Sequence, residues 1–306
     1  MSVVCGCRLL DVEDRVQQTV IPLALLYPAQ GVETAQSFGP YTLDVALDAA
    51  PVSAPSSTPD GGQGRYPLVV VSHGNAGTPW AYRELARHLV LAGFVVALPA
   101  HPGNTRHNNN RANTAANLAN RPRHVTLVID AAFNDPALGP LLAPGRVAVI
   151  GHSIGGYTAL AVAGGKPWTG PYERKTHPPQ PVPVTPDPRV RALVLLAPAT
   201  AWFLPEALRD VRLPILMITG DRDVNTPVGH AHNVLDGVAD RSQVVHRVFE
   251  GAAHFSFMSK FPPEMTRPEF HPSQDPPGFD RAGIQPQLFA DITTFLVRTL
   301  CATGVR

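Results

Sequence analysis

The chain has 306 residues, of which 44% are hydrophobic and 16% charged, enough apolar material for a sizeable core and too apolar a chain for disorder. Its formal charge is +1, from 25 Lys+Arg against 24 Asp+Glu, so the basic surplus that marks nucleic-acid binding is missing. Three cysteines (Cys5, Cys7, Cys301) are too few for a disulfide framework or a four-ligand zinc site, and no run of about 18 apolar residues exists to span a membrane.

No basic stretch followed by an apolar one opens the sequence, so no export signal is evident and the chain is read as cytoplasmic. Cys5 and Cys7 are read as free thiols in a loose N-terminus. Ile21–Tyr27 and Tyr41–Leu47 read as two antiparallel lead-in strands, and Pro51–Tyr66, rich in Pro, Ser and Gly, as a surface loop. Pro67–Ser72 is an unbroken apolar run, as in a strand buried on both faces. Trp80, Leu85, Leu89 and Val90 fall near helical spacing, with Gly93 as the stop. Phe94–Leu98 reads as a strand and Arg121–Phe133 as a helix with Pro122 in its first turn. Then follow a strand at Arg146–Ile150, a helix at Ile154–Ala163, and strands at Val190–Leu196 and Leu213–Thr219. A helix at Val228–Val238, a strand at Gln243–Phe249 and a helix at Gln287–Leu300 close the chain.

This alternation predicts an α/β architecture, a mostly parallel central sheet of about eight strands with helices on both faces. Three long segments interrupt it: Asn104–Asn120, rich in Asn and Arg, and the Pro-rich Gly165–Pro188 and Phe261–Pro286. With no internal repeat and no clean linker, residues 1–306 are expected to form one domain. Its two Pro-rich loops are candidate covers of a site.

The sharpest motif is Gly151-His152-Ser153-Ile154-Gly155-Gly156, a G-x-S-x-G pattern between a strand and a helix. That is the setting of a nucleophile elbow, a turn so tight that the serine backbone is strained. Small residues two positions to either side let neighbouring backbone pass, and Oγ is lifted toward substrate at a helix N-terminus. A serine hydroxyl is a weak nucleophile at neutral pH and needs a histidine base oriented by a carboxylate, in the chain order Ser, acid, His. Asp221 and Asp223 both follow the strand Leu213–Thr219. Asp223 is preferred because the loop pattern D-x-x-x-P commonly carries the acid, and Asp221 is expected to brace the turn through local backbone hydrogen bonds.

His254, after the last strand, is the candidate base. His246 reads as a sheet residue, His230 and His232 as surface residues near a helix start, and His271 as part of a Pro-rich loop. The amides of Ile154 and Asn75, the latter in Ser72-His73-Gly74-Asn75-Ala76-Gly77, are the candidate oxyanion donors, with His73 supporting that loop. His101, Trp202 and Phe255 are candidate pocket residues, His101 alternatively a pin for its own loop. No metal-ligand spacing and no dinucleotide fingerprint is present, so neither metal nor cofactor is implied.

Ser72-His73-Gly74, the Gly151–Gly156 elbow, Asp223 and Gly251–His254 together resemble the α/β-hydrolase superfamily over nearly the whole chain. More narrowly, Pro67–Gly77, Ala97–Asn104 and Asp275–Arg281 are similar to bacterial proteins described as predicted dienelactone hydrolases, which are related to platelet-activating-factor acetylhydrolases. Two departures stand out. Dienelactone hydrolases use a cysteine nucleophile where this elbow holds Ser153. The acetylhydrolases place their acid after the strand following the nucleophile helix, where this chain reads Leu196-Ala197-Pro198-Ala199-Thr200 with no carboxylate. The resemblance implies a cofactor-independent serine hydrolase acting on a small-molecule carboxylic ester. An acyltransferase or amidase with the same three residues, and a non-catalytic binding protein on the same scaffold, remain open.

Overall fold

The apolar runs of the sequence form the middle of a ten-stranded sheet in a computed structural model that describes residues 3–54, 64–174 and 178–301. Residues 55–63 of the expected Pro51–Tyr66 loop and 175–177 of the Gly165–Pro188 loop lie outside the described residues. The strands are β1 (Val4–Asp14), β2 (Thr19–Ala29), β3 (Thr34–Phe38), β4 (Tyr41–Leu47), β5 (Tyr66–Ser72), β6 (Val95–Pro99), β7 (Leu142–His152), β8 (Val190–Leu196), β9 (Ile215–Gly220) and β10 (Val244–Phe249). The helices are α1 (Arg83–Leu91), α2 (Ala115–Asn134), α3 (Ile154–Val162), the single turn α4 (Pro171–Arg174), α5 (Gly229–Gly237) and α6 (Arg281–Leu300).

Across the sheet the order is β10-β9-β8-β7-β5-β6-β2-β1-β4-β3. Strands β5 to β10 run parallel, as crossover helices require, while β2 joins β6 antiparallel and adds the lead-in half. One face buries α2, α3 and α5 against residues such as Val70, Val149 and Leu195; the other buries α1 and α6 against Val71, Ile150 and Val194. Covered on both sides, β5 is buried at every position.

The N-terminus is not loose. Val4–Asp14 is a full strand between β2 and β4, and it buries both Cys5 and Cys7 completely. Burial raises both thiols, Cys7 to about 12, so they sit as small apolar side chains. The two expected lead-in strands therefore do not pair with each other. β1 lies between them, antiparallel to β2 and parallel to β4. A short edge strand, β3, also lies where only a polar turn region was expected.

Two helices begin earlier than the sequence suggests. Thr114 caps α2, accepting from Asn117 N at 3.1 Å, so its first turns take the end of the expected Asn104–Asn120 loop. Pro122 then lies inside α2 rather than in its first turn. Having no N–H, it leaves the Leu118 carbonyl without a helical donor, and the Tyr157 hydroxyl supplies one at 3.1 Å. Asp280 caps α6 through Ala282 N at 3.0 Å, placing Pro286 in the second turn.

Candidate active site

Strand β7 delivers Ser153 to the C-terminal edge of the sheet, and α3 starts at the next residue. The Ser153 backbone lies at φ 56° and ψ −122°, a region that non-glycine residues avoid. Three bonds staple it there: Ser153 N donates to Leu196 O at 3.1 Å, and Ser153 O accepts from Gly156 N at 2.8 Å and Ala199 N at 2.9 Å. The motif's glycines are needed for space. A Cβ on Gly151 would overlap the Gly155 carbonyl oxygen, and one on Gly155 would overlap that of Ser72. Ile154, as the first residue of α3, has an N–H with no acceptor inside the helix.

Asp223 and His254 come from the loops after β9 and β10, thirty-one residues apart, and meet with Nδ1–H donating to Asp223 Oδ2 at 2.9 Å. Both are almost fully buried. The other carboxylate oxygen, Oδ1, accepts from Asn225 N and Thr226 N, both at 2.8 Å. The Thr226 hydroxyl lies 2.7 Å from Oδ2 and 3.1 Å from Nδ1, so it closes the pair on its remaining side. Burial alone would raise the Asp223 carboxyl, but the His254 ring and the Thr226 amide and hydroxyl outweigh it and hold it at about 2. Thr226 was not picked out from the sequence, although Asp223-Val224-Asn225-Thr226 reads as an Asx-type turn once the acid is known.

Two further contacts join these loops. Asp221 braces a distant partner rather than its own turn, accepting from Gly251 N at 2.7 Å. The ring of His152, one residue before Ser153, donates from Nε2 to the His254 carbonyl at 2.8 Å. The elbow and the base loop are thereby tied directly.

On the other side, the loop after β5 approaches the elbow closely. A Cβ on Gly74 would sit 3.3 Å from Ser153 Cβ. His73 supports this loop as expected: Nδ1–H donates to Gly74 O at 2.8 Å, and Nε2 accepts from His101 N at 3.1 Å. The exposed Asn75 side chain accepts through Oδ1 from Asn104 Nδ2 at 2.7 Å.

A family model described as the alpha/beta hydrolase fold matches residues 67–212. Among curated relatives, Cutinase 2 of Thermobifida cellulosilytica is 26% identical over 194 residues, which cover 62% of this chain and 61% of the relative. Cutinase cut1 of Thermobifida fusca is 26% identical over 62% of this chain and 50% of its own length. The match thus spans half to three-fifths of those relatives. In three dimensions, a ferulic acid esterase from Streptomyces cinnamoneus superposes with a TM-score of 0.69 at 19% identity, covering 98% of this chain and 91% of the other. A dienelactone hydrolase from Anabaena variabilis superposes at 0.56 and 15% identity, covering 98% of this chain and all of that one.

The chain has the α/β-hydrolase fold. Within it the remaining sequence expectations divide. His101 does not line a pocket. It is fully buried, with Nε2 2.9 Å from Ser72 Oγ and Nδ1 3.1 Å from His124 Nδ1, so it pins its loop. Phe255 stands edge-on to the His254 ring at 5.0 Å, beside the candidate base. Trp202 packs edge-on to Tyr157 of α3 at 5.1 Å, and its carbonyl accepts from Trp168 N at 2.8 Å. His230 is half-buried rather than a surface residue, its Nδ1 accepting from Thr200 N at 3.0 Å. His246 is satisfied within the sheet, 2.9 Å from Thr219 Oγ1.

The Phe261–Pro286 segment reaches both sides of this edge of the α/β-hydrolase fold. Pro277 O accepts from Arg222 Nη1 at 3.2 Å, and Phe270 lies 4.2 Å below the Arg106 guanidinium. A mostly apolar cavity of about 630 Å³, lined by Leu9, Leu23, Phe38, Tyr41, Trp80 and Arg106 among others, opens behind Gly77 on the lead-in side. Neither Ser153 nor His254 lines it.

Four histidines around the edge (His73, His101, His124 and His152) are fully or almost fully buried. Burial pushes His73 and His152 down to about 3, and His101 and His124 in the same direction. An unfolded chain takes up protons on all four as pH falls through about 6.5, whereas the native protein stays unprotonated far lower. Stability is therefore full above that pH and declines as pH drops, by about 1.4 kcal/mol per pH unit for each histidine. Urea midpoints at pH 7.5 and 5.5 test this, and equal midpoints would refute it.

Proposed function

We propose that this protein is a cofactor-independent serine hydrolase of carboxylic esters, with Ser153 as nucleophile, His254 as base and Asp223 as the orienting acid. The observation that carries the reading is the buried Asp223–His254 pair, held 2.9 Å apart and tied through the His254 carbonyl to His152, the residue before a serine in a strained strand-to-helix turn. Likeness to proteins named cutinases and to an esterase structure supports ester substrates.

The chemistry follows from the proton positions. With Nδ1–H committed to Asp223, Nε2 of His254 carries the lone pair that takes the Ser153 proton. Ser153 Oγ attacks the ester carbonyl, and the amides of Ile154 and Asn75 hold the oxyanion. The imidazolium, stabilised by the anionic Asp223, then protonates the leaving alcohol. Water adds to the acyl-enzyme with His254 again as base, and the acid leaves.

The test is hydrolysis of p-nitrophenyl esters from acetyl to dodecanoyl, together with labelling by a serine-reactive phosphonate. Wild type should hydrolyse the esters and take one phosphonate per chain, with Ser153→Ala doing neither. Equal rates for both proteins would remove Ser153 from the reaction. Labelling without ester turnover would move the substrate to another acyl class.

A further inference from the structure

Arg121 is the largest fully buried side chain, and it lies between the two segments from which the proposed oxyanion donors come. Its Nη2 donates to His73 O and lies 3.3 Å from Ser72 Oγ; its Nη1 donates to Asn104 Oδ1 at 2.6 Å. Nε donates to Thr158 Oγ1 at 3.0 Å, and that hydroxyl donates to Ile154 O at 2.9 Å. Asn104 passes the contact on through Nδ2 to Asn75 Oδ1 at 2.7 Å. One arm of the guanidinium thus ends on Asn75 and the other on Ile154.

We infer that Arg121 is a positioning residue, which fixes the spacing of the two oxyanion amides through Asn104 on one side and Thr158 on the other. The inference rests on the ester-hydrolase reading of Ser153.

Its surroundings favour that role over plain packing. No carboxylate among the described residues pairs with Arg121; its acceptors are two hydroxyls, an amide oxygen and a backbone carbonyl. Burying a guanidinium without a counter-charge is costly, and an apolar side chain would fill a core more cheaply. The neighbouring histidines add no second charge, because burial keeps His73, His101 and His124 neutral. Burial also draws Arg121 down, to about 9, which still leaves it cationic at neutral pH.

The polar contacts continue outward from the cation: Ser72 Oγ accepts from Arg121 Nη2 and lies 2.9 Å from His101 Nε2, and His101 Nδ1 lies 3.1 Å from His124 Nδ1. Negative charge developing on the oxyanion meets two amides held from behind by one fixed positive group that is itself fully buried, where such preorganisation is most effective.

Arg121→Met would remove four hydrogen bonds from the core, so the two arms are tested separately as Asn104→Ala and Thr158→Val. Readouts are kcat and KM on p-nitrophenyl acetate, affinity for phenylboronic acid as a tetrahedral adduct of the serine, and the thermal midpoint. Each variant should lose roughly 10–100-fold in kcat with KM within about threefold, and boronate affinity should weaken in step. A merely structural role would lower the thermal midpoint and leave kcat per folded molecule unchanged, which would overturn the inference. A rise in KM at constant kcat would also overturn it, as would a fall in kcat with boronate affinity unchanged. Wild-type rates in Ser153→Ala would sink the hydrolase reading and this inference together. An inactive Ser153→Ala beside unimpaired Asn104→Ala and Thr158→Val sinks the inference alone.

Discussion

Ser153→Ala is expected to lower ester turnover by roughly 10⁴–10⁶-fold, and Asp223→Asn by roughly 10⁴-fold, with both proteins natively folded. Alanine removes the attacking oxygen and leaves water as the nucleophile. The asparagine acts differently. Its carbonyl oxygen can keep the two backbone bonds from Asn225 and Thr226, so the loop holds, but an NH2 group then faces His254 Nδ1. The imidazole must turn to the tautomer with its proton on Nε2, which cannot accept from Ser153. Single-turnover rates with p-nitrophenyl acetate measure both, with circular dichroism as the folding control. A folded Asp223→Asn at wild-type speed would mean that the carboxylate takes no part.

The second large effect is on folding rather than turnover. Gly155→Ala should destabilise the protein by more than about 4 kcal/mol, enough to prevent accumulation of a folded chain, because its Cβ would occupy the space of the Ser72 carbonyl oxygen. Neither partner can give way. Ser72 is the last residue of β5, paired to Gly151 of β7, and Gly155 is in the first turn of α3. The contrast is Gly229→Ala at the start of α5, where the added methyl meets nothing within 4 Å beyond its chain neighbours and its own helix backbone, and stability should stay within about 0.5 kcal/mol of wild type. Urea denaturation distinguishes them, and a stable Gly155→Ala would show that the elbow can relax.

What the sequence made legible follows from how local each signal is. β5, β6 and, from Ala192 onward, β8 were readable because strands covered on both faces are continuously apolar. The elbow was readable because its steric demand falls within five residues. β1 was not: it reads Val-Cys-Gly-Cys-Arg, with a glycine opposite Tyr27, and its burial comes from the strands on either side rather than from its own pattern. The starts of α2 and α6 were obscured by Pro122 and Pro286, which helices tolerate when another group serves the orphaned carbonyl, as Tyr157 does for Leu118. Thr226, Asn104 and Arg121 were invisible for a related reason. Each acts through partners brought together by the sheet, Arg121 reaching 48 residues back to His73 and 37 forward to Thr158. His101 shows the converse, a residue at the right edge of the sheet whose side chain turns inward.

The nucleophile stands on β7, well inside the sheet, whereas the acid and base hang from β9 and β10, its outermost pair on that side. β10 has a neighbour on one flank only, and half of its positions are solvent-exposed. Strands of this kind detach in partial openings that cost far less than global unfolding. On warming, or in dilute denaturant, β10 should peel away first and carry His254 off while Ser153 remains seated. Catalysis would then fade below the global melting transition, and amide exchange along Val244–Phe249 would report the lower free energy at which it is lost.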